Sequence, residues 1–216
     1  FTKGPYSRQI AAFITFDSPK MESVATQGVG SHRYRITFRG PGGHSFGDFG
    51  TVNPAHVMAN VIAGMARWSV PEEPRTTYCA SIFGGGSSIN AIPEEVWVEV
   101  DLRSVSQTEL NRLDSDLHML IAAAVEAENV SGDTSQGEVT VETHRIGARP
   151  AGKTDPASAI VTAADQALAA FGIKMIAGAA STDANIPMSL GIPAVKIGTG
   201  GTGGRAHTLG EWIDVD

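Results

Sequence analysis

The stretch "EVWVEVDLRS", residues 95–104, alternates between apolar and mostly polar side chains. Successive side chains of a β-strand point to opposite faces, so this alternation predicts a strand with one apolar and one polar face. The apolar face would carry Val96, Val98, Val100 and Leu102. The opposite face would carry Glu99, Asp101 and Arg103.

Two further strands and a helix are predicted before this strand. "HRYRITF" (32–38) alternates in the same way and indicates a half-buried strand. Asn53 as N-cap and Pro54 at the first helical position open an amphipathic helix over 53–69. "TTYCASIF" (76–83) is an apolar run that predicts another strand.

A long helix and a last strand are predicted after it. Ser106 and Glu109 form a capping box, which opens a helix with an apolar stripe. "EVTVETHRI" (138–146) is an alternating strand. The order βαββαβ over residues 29–146 is that of a ferredoxin-like α+β unit, an open sheet with helices on one face. Open sheets have exposed edge strands, so we expect this unit to self-associate.

The segments on either side of this unit have the pattern of an α/β domain. "IAAFITFD" (10–17) predicts a buried strand that ends at Asp17, and residues 18–31 are interpreted as a connector. Further along, an alanine-rich helix ends at Gly172, and a short helix and an apolar strand follow it. We therefore predict that the ferredoxin-like unit is inserted into an α/β domain of which only two pieces are present. The predicted domains are 1–28, 29–146 and 147–216.

Composition limits the classes of function. The chain has 216 residues, of which 42% are hydrophobic and 18% charged, as in globular proteins with a buried core. Its net charge of −7 argues against binding to nucleic acid or to an anionic membrane. Its apolar runs are all too short to span a bilayer. The single cysteine, Cys79, excludes an internal disulfide and a cysteine-built zinc site, and its apolar neighbours predict a buried thiol.

Several sequence signals are missing. The first residues lack an initiator methionine and the layout of a signal peptide, so we expect a piece of a longer protein. We expect that protein to be cytoplasmic, an expectation that does not rest on these first residues. The glycine-rich run near the end has no G-K-[ST] ending, which argues against this run as a nucleotide-binding loop.

That glycine-rich run has five glycines within the seven positions from Gly198 to Gly204, just before His207. Glycine lets backbone N–H groups approach a ligand closely, so either a ligand-binding loop or a flexible surface loop would explain it. Asp17 and His207 both follow predicted strands, at the edge where α/β domains place ligands. Both are zinc-ligand types, but zinc needs about three or four ligands, so any site would be completed from outside the chain.

Three polar residues of the ferredoxin-like unit are further candidates. His44 lies on a glycine-rich turn after a strand, either as an exposed turn residue or directed at a substrate. Asn90 precedes the strand at 95–104, and Arg103 lies at its end. The guanidinium of Arg103 would form either a bidentate pair with a substrate carboxylate or an ordinary surface salt bridge.

Two charged residues of the last segment leave similar alternatives open. Arg149 is either a contact for an anion or a linker cation. Asp183 lies in "STDAN" (181–185), which is either an anion site at a helix N-terminus or a plain N-cap sequence.

Five stretches together resemble the zinc-dependent family that includes glutamate carboxypeptidase, peptidase T, aminoacylase and succinyl-diaminopimelate desuccinylase. They run over nearly the whole chain, and several independent motifs agree in order and spacing. They are "GVGSHRYRITFRGPGGHS" (28–45), "INAIPEEVWVEVDLRS" (89–104), "RPAG" (149–152), "STDANIPMSLGIPAVKIGTGG" (181–201) and "AHTLGEW" (206–212).

The resemblance implies a catalytic α/β domain with two zinc ions and an inserted ferredoxin-like lid that forms a homodimer. It implies that Asp17 and His207 are zinc ligands, and that His44 reaches the partner subunit's active site and stabilises an oxyanion. It implies that Asn90, Arg103 and the glycine-rich loop, with Gly200 and Gly201, bind the substrate. We add Arg149 and Asp183 to the predicted substrate-binding residues. The expected substrates are small peptides or N-acyl amino acids.

The chain departs from the family in one large respect. The family's H-x-D motif, its bridging aspartate and its Glu-Glu pair precede the equivalent of Asp17, and none of them stands before Asp17 in this sequence. The glutamate that moves the proton during zinc-dependent hydrolysis is one of them. We therefore expect a hydrolase as the longer protein and an inactive chain as given. A non-catalytic dimerisation module is the alternative.

Overall fold

The computed structural model describes Gly4, residues 9–206 and residues 208–214. Its internal contacts divide the chain into two units, which are named here by their place in the sequence. The central unit comprises Ser31–Ser104 and Thr108–Ala148. The flanking unit comprises Phe1–Gly30, Val105–Gln107 and Arg149–Asp216.

The elements of secondary structure are numbered in chain order. The strands are β1 (Phe13–Phe16), β2 (Ser23–Gly28), β3 (Gly30–Arg39), β4 (Gly43–His44), β5 (Thr76–Gly85), β6 (Ala91–Ile92), β7 (Glu95–Ser104), β8 (Thr140–Arg149), β9 (Gly152–Lys153), β10 (Ile176–Ala180), β11 (Ala194–Ile197), β12 (Gly203–Gly204) and β13 (Trp212–Ile213). The helices are α1 (Pro54–Met65), α2 (Gln107–Ser131), α3 (Ala159–Ala170) and α4 (Asn185–Ser189).

The central unit is built on a four-stranded sheet with the strand order β5-β7-β3-β8. β5 runs antiparallel to β7, from the pair Thr76–Ser104 to the pair Gly85–Val96. In chain order the main elements are β3, α1, β5, β7, α2 and β8, and the first strand lies between the third and the fourth. This is the ferredoxin-like arrangement, and the predicted fold class is confirmed.

Both helices of the central unit pack on the same face of this sheet. Asn53 caps α1 by accepting a hydrogen bond from the backbone N–H of Ala55, and Pro54 occupies the first turn, as predicted. The apolar face of β7 is buried beneath the helices together with the alternate residues of β3. The buried stripe of α2 consists of Leu110, Leu113, Leu117, Ile121 and Ala124. Burial of these apolar surfaces is the main stabilising contribution to the unit.

The prediction of a buried thiol at Cys79 is wrong, because the side chain is exposed. Tyr78 and Ala80 pack against the core, so strand alternation places Cys79 on the opposite face of the sheet. There it lies across from Asp101 of β7. The apolar run around Cys79 did not indicate which of its residues face the helices.

The flanking unit contains a mixed five-stranded sheet. Its strands follow the order β1-β11-β2-β10, and β9 pairs with the remaining part of β2. β1 is parallel to β11 and β10 is parallel to β2, whereas β11 and β2 are antiparallel. Within the described residues, the helices are all too short or too polar to cross a lipid bilayer.

The interpretation of residues 18–31 as a connector is wrong, because β2 is a central strand of this sheet. Val24, Ala25 and Thr26 are all buried, since β2 has neighbours on both sides. A strand that is buried on both faces shows no alternation, and its small residues resemble those of a loop. β10 was not predicted either, because its short run of Ile, Ala and Gly shows no alternation; it is an edge strand, and most of its residues are exposed.

A cluster of polar side chains lies beside the core of the central unit. The hydroxyl of Tyr34 donates a hydrogen bond to Oδ1 of Asp114, and Nδ1 of His32 lies 3.1 Å from the same oxygen. Tyr34 is buried, and burial together with the neighbouring carboxylate raises its pKa to about 12. Both effects disfavour the charged tyrosinate.

The raised pKa of Tyr34 predicts a loss of stability in alkali. The unfolded chain releases this proton near pH 10, whereas the folded chain keeps it until about pH 12, so the free energy of unfolding should fall as the pH rises through this interval. Urea denaturation at a series of pH values measures the fall. Asp114→Asn should lower the pKa of Tyr34 in an ultraviolet titration of tyrosinate, and an unchanged titration would contradict the explanation.

Candidate functional site

Asp17 lies at the carboxyl-terminal edge of the sheet of the flanking unit. It directly follows β1, and its backbone N–H donates a hydrogen bond of 3.0 Å to the carbonyl oxygen of Ile197, the last residue of β11. The side chain of Asp17 is exposed. Because β1 and β11 are parallel, Asp17 and the start of the glycine-rich loop lie at the same edge, where α/β proteins place their ligands.

Hydrogen bonds join the two loops that leave this edge. The carbonyl oxygen of Ser18 accepts from the backbone N–H of Thr199 at 2.7 Å and from its hydroxyl at 3.0 Å. The ammonium of Lys196 donates to the Ser18 hydroxyl at 2.7 Å. The loop that begins with Asp17 is therefore held against the loop that begins at Gly198.

The structure gives physical reasons for three of the loop glycines. A Cβ at Gly198 would overlap the carbonyl oxygen of Lys20, so only glycine allows the two backbones to lie this close. Gly200 and Gly201 have φ angles of 81° and 83°, which L-residues with a side chain rarely adopt. The glycines therefore determine the path of the loop, and they also leave its backbone N–H groups accessible.

A pocket of about 290 Å³ lies between the same loops. Apolar side chains of Pro19, Trp212 and Ile213 form part of its wall, and Arg205 and Glu211 are the charged residues beside them. Residues Ser18, Lys20, Gly203, Gly204 and Ala206 complete the lining. A pocket with this lining can receive an apolar group and contact a polar one at its rim.

The predicted zinc ligands are only partly covered by the structure. Asp17 is described, whereas His207 lies outside the described residues. Among residues 9–206 and 208–214, no three His, Cys, Asp or Glu side chains lie close enough together to hold a metal ion. The described residues thus do not make up a zinc site by themselves, since zinc takes about three or four protein ligands.

The central unit brings His44 and Asn90 together. Strands β4 and β6 form a small antiparallel ladder in which His44 pairs with Ala91, and the backbone N–H of Ser45 donates to the carbonyl oxygen of Asn90 at 2.9 Å. Both side chains are exposed. The side-chain oxygen of Asn90 also accepts a hydrogen bond of 2.6 Å from the Ser88 hydroxyl.

The imidazole of His44 is oriented by its own turn. Its Nδ1 accepts hydrogen bonds from the backbone N–H groups of Phe46 and Gly47, each at 3.2 Å. The backbone N–H of His44 in turn donates to a carboxylate oxygen of Asp48 at 2.6 Å. With Nδ1 as an acceptor, the neutral ring carries its proton on Nε2, which this hydrogen-bond pattern assigns as a donor.

Arg103 lies far from this pair within one central unit. Asn90 precedes the start of β7 and Arg103 lies at its end, so the length of the strand alone separates them by about 26 Å. Arg103 donates from Nε to Oδ2 of Asp101 at 2.7 Å. A small ligand cannot contact Arg103 and His44 of the same unit.

Arg149 and Asp183 contact each other in the flanking unit. Nη2 of Arg149 lies 3.8 Å from Oδ1 of Asp183, and Nη1 lies 3.4 Å from the Ser181 hydroxyl. Asp183 remains largely exposed. The pair can accept a ligand only by rearranging or by binding it to the donors that this contact leaves unused.

Asn185 is a structurally important residue that the sequence did not single out. Its side chain is completely buried, donates to the carbonyl oxygens of Val29 and Pro150 at 2.9 and 2.8 Å, and accepts from the backbone N–H of Thr182 at 2.9 Å. A Cβ at Gly28 would lie 2.8 Å from its side chain. A buried amide without partners is costly, and here the partners come from three separate segments. No local sequence pattern reveals hydrogen-bond partners that come from distant segments.

Residues 28–129 match the family model of the peptidase dimerisation domain, of the M20 type. No curated protein matches the chain.

Solved structures share the fold over most of the chain. An aminopeptidase PepT from Bacillus cereus has a TM-score of 0.72 and 18% identity, and the match covers 93% of this chain and 52% of that one. A tripeptidase from Staphylococcus aureus has a TM-score of 0.69 and 21% identity, covering 90% and 49%. An aminobenzoyl-glutamate utilization protein from Klebsiella pneumoniae has a TM-score of 0.68 and 17% identity, covering 87% and 49%. The chain spans about half the length of these proteins.

Gly198→Ala should destabilise the flanking unit. The new methyl group would overlap the carbonyl oxygen of Lys20, and relieving the overlap should lower the free energy of unfolding by about 1–3 kcal/mol. Gly178→Ala is the matched control, because nothing lies within 4 Å of its Cβ position. Urea denaturation of the two variants measures the difference, and equal stabilities would refute the close approach.

Proposed function

This chain carries the dimerisation domain of the M20 peptidases, and from this premise we propose that it is part of a hydrolase that cleaves peptide or N-acyl amino acid amide bonds. The match of residues 28–129 carries the proposal. The fold shared with an aminopeptidase and a tripeptidase supports it. In this proposal residues 29–146 are the lid, and 1–28 and 147–216 are pieces of the catalytic domain.

His44 is proposed to stabilise the oxyanion that forms when the amide carbonyl is attacked. Its Nδ1 accepts two backbone hydrogen bonds, which leaves Nε2 as the ring nitrogen that would donate to the oxyanion. A donor that is oriented before the reaction stabilises developing charge at little reorganisation cost. Asn90, which the β4–β6 ladder holds beside His44, would provide a second polar contact to the same substrate.

His44 and Asn90 lie at one end of the lid and Arg103 at the other, so one lid cannot bring all three to a small substrate. A homodimer could do so with residues from two subunits. Two-fold symmetry allows His44 and Asn90 of one subunit to serve a substrate that Arg103 of the other subunit binds. β5 is an edge strand of the lid sheet, and its Ile82 and Phe83 are 52% and 65% exposed, which supports an interface there.

The remaining substrate contacts are proposed in the flanking unit. Arg149 with Asp183, and the backbone of Gly200 and Gly201, would bind the polar groups of the substrate. The pocket beside them, walled in part by Trp212 and Ile213, would receive an apolar group.

Zinc is proposed as the cofactor of the longer protein, two ions per subunit. Asp17 and His207 would supply two of the ligands, and the others, with the proton-transferring glutamate, would come from sequence outside this chain. When bound, zinc supplies an activated water molecule. The chain alone is therefore proposed to be inactive.

A non-catalytic dimerisation module is the second candidate, because the dimerisation-domain match fits it equally well. It predicts self-association without metal. The upstream sequence separates the two candidates, since only the hydrolase needs H-x-D and Glu-Glu motifs there.

His44→Ala should lower kcat/KM of the longer protein by about 10²–10³-fold, the usual cost of losing one oxyanion donor. Its zinc content should not change, because His44 is proposed to contact the substrate and not the metal. His144→Ala, an exposed histidine of β8, is the control and should keep full activity. Unchanged turnover in the His44 variant would remove this residue from the mechanism.

His207→Ala should lose most of one zinc ion per subunit when the longer protein is analysed by atomic absorption. Loss of one ligand of about four leaves the coordination shell incomplete. His44→Ala is the internal control, with its full metal content. Full zinc and full activity in the His207 variant would show that the ligand assignment is wrong.

A further inference from the structure

The outer face of the central sheet is the face opposite the helices. Its arginines differ in the number of carboxylates that each one contacts. Arg39 contacts two carboxylates, those of Glu95 at 2.9 Å and Glu142 at 3.0 Å. Arg35 contacts one, that of Glu99 at 2.9 Å, and its guanidinium stacks on the ring of Trp97 at 3.7 Å. Both guanidinium charges are thus compensated.

Arg33 and Arg103 share a single carboxylate. Nε of Arg33 lies 3.3 Å from Oδ1 of Asp101, and Nε of Arg103 lies 2.7 Å from Oδ2 of the same residue. Two positive charges and one negative charge leave a local excess of one positive charge, on a protein whose net charge is −7. Along β3, the charge on this face therefore changes from negative near Arg39 to positive near Arg33.

The two guanidinium groups keep unused donors. Both use Nε for Asp101, and in the described part of the chain their Nη atoms make no hydrogen bond or ion pair. The side chains of Arg33 and Arg103 are 47% and 38% exposed. A ligand from solution can reach these donors.

Small neighbours leave space around the pair. Thr77 of β5 lies across from Arg103, and Cys79 lies across from Asp101. On the other side, a Cβ at Gly147 of β8 would contact the stem of Arg33 at 3.4 Å, so glycine leaves room for this side chain. The two arginines lie on the central strands β3 and β7, with these smaller residues on the edge strands.

We propose that Arg33 and Arg103, bridged by Asp101, form one binding site for a carboxylate. Guanidinium groups bind carboxylates through parallel N–H donors, and Asp101 holds the two groups side by side so that both can contact the same anion. Arg33 is the new member of this site. The inference rests on the proposed function only in identifying the anion as the carboxylate of the substrate.

The test measures binding to this 216-residue chain without any catalysis. N-acetyl-L-alanine is the probe, and its neutral amide is the matched ligand control. An NMR titration at neutral pH and about 0.15 M salt follows the Nε–H resonances of Arg33 and Arg103. We expect saturable shifts of both resonances with the acid and none with the amide.

Arg33→Gln should weaken binding of the acid by about threefold to tenfold, since it removes one of two charge-assisted contacts at a partly exposed site. Arg39→Gln removes the same charge from the same strand about 20 Å away, beyond the screening length, and should change the affinity by less than about twofold. Arg33→Lys should lie between Arg33→Gln and the parent chain, because it keeps the charge and loses the planar fork. Circular dichroism confirms that each variant is folded.

Three results would overturn the proposal: no saturable binding, equal binding of the amide, or the same loss of affinity in the Arg33 and Arg39 variants. None of them concerns hydrolysis. Failure of the carboxylate site is therefore distinct from failure of the proposed enzyme, which the zinc and turnover measurements test.

Discussion

The packing of two helices on one face of the central sheet is the constraint from which the rest of that unit follows. β3 and β7 alternate between apolar and polar side chains, and α1 and α2 cover the apolar positions. Every intervening residue must then face the opposite side of the sheet. A single burial requirement thus sets both the core and the polar outer face that carries Arg33, Asp101 and Arg103.

A second constraint acts at the sheet edge of the flanking unit. Parallel pairing of β1 with β11 makes both strands end at the same edge, so Asp17 and Gly198 begin adjacent loops. The loops are then held together by the carbonyl oxygen of Ser18 and by the close approach that Gly198 permits. The glycines at this edge are therefore required by backbone geometry, whatever ligand the loop binds.

The two ends of the central sheet have different chemical characters. At one end, Nδ1 of His44 accepts two backbone hydrogen bonds, and the other ring nitrogen is the proposed donor to a developing negative charge on a carbonyl oxygen. At the other end Arg33 and Arg103 offer permanent positive charge, suited to a carboxylate that is present from the start. A peptide or N-acyl amino acid has both groups only a few bonds apart. The length of β7 is therefore the observation behind our proposal that the site is assembled from two subunits.

The sequence by itself determined the ferredoxin-like order of elements, the inward faces of β7 and α2, and the position of Asp17 at a strand end, because each depends on local periodicity or on a neighbouring cap. It did not reveal β2 as a central strand, the exposure of Cys79, the buried hydrogen bonds of Asn185 or the partnership of Arg33 with Arg103. These features depend on which strands become neighbours, and residues from distant segments decide that. Tertiary structure alone brought Arg33 beside Asp101, 68 positions along the chain, and made two isolated arginines into a single site for an anion.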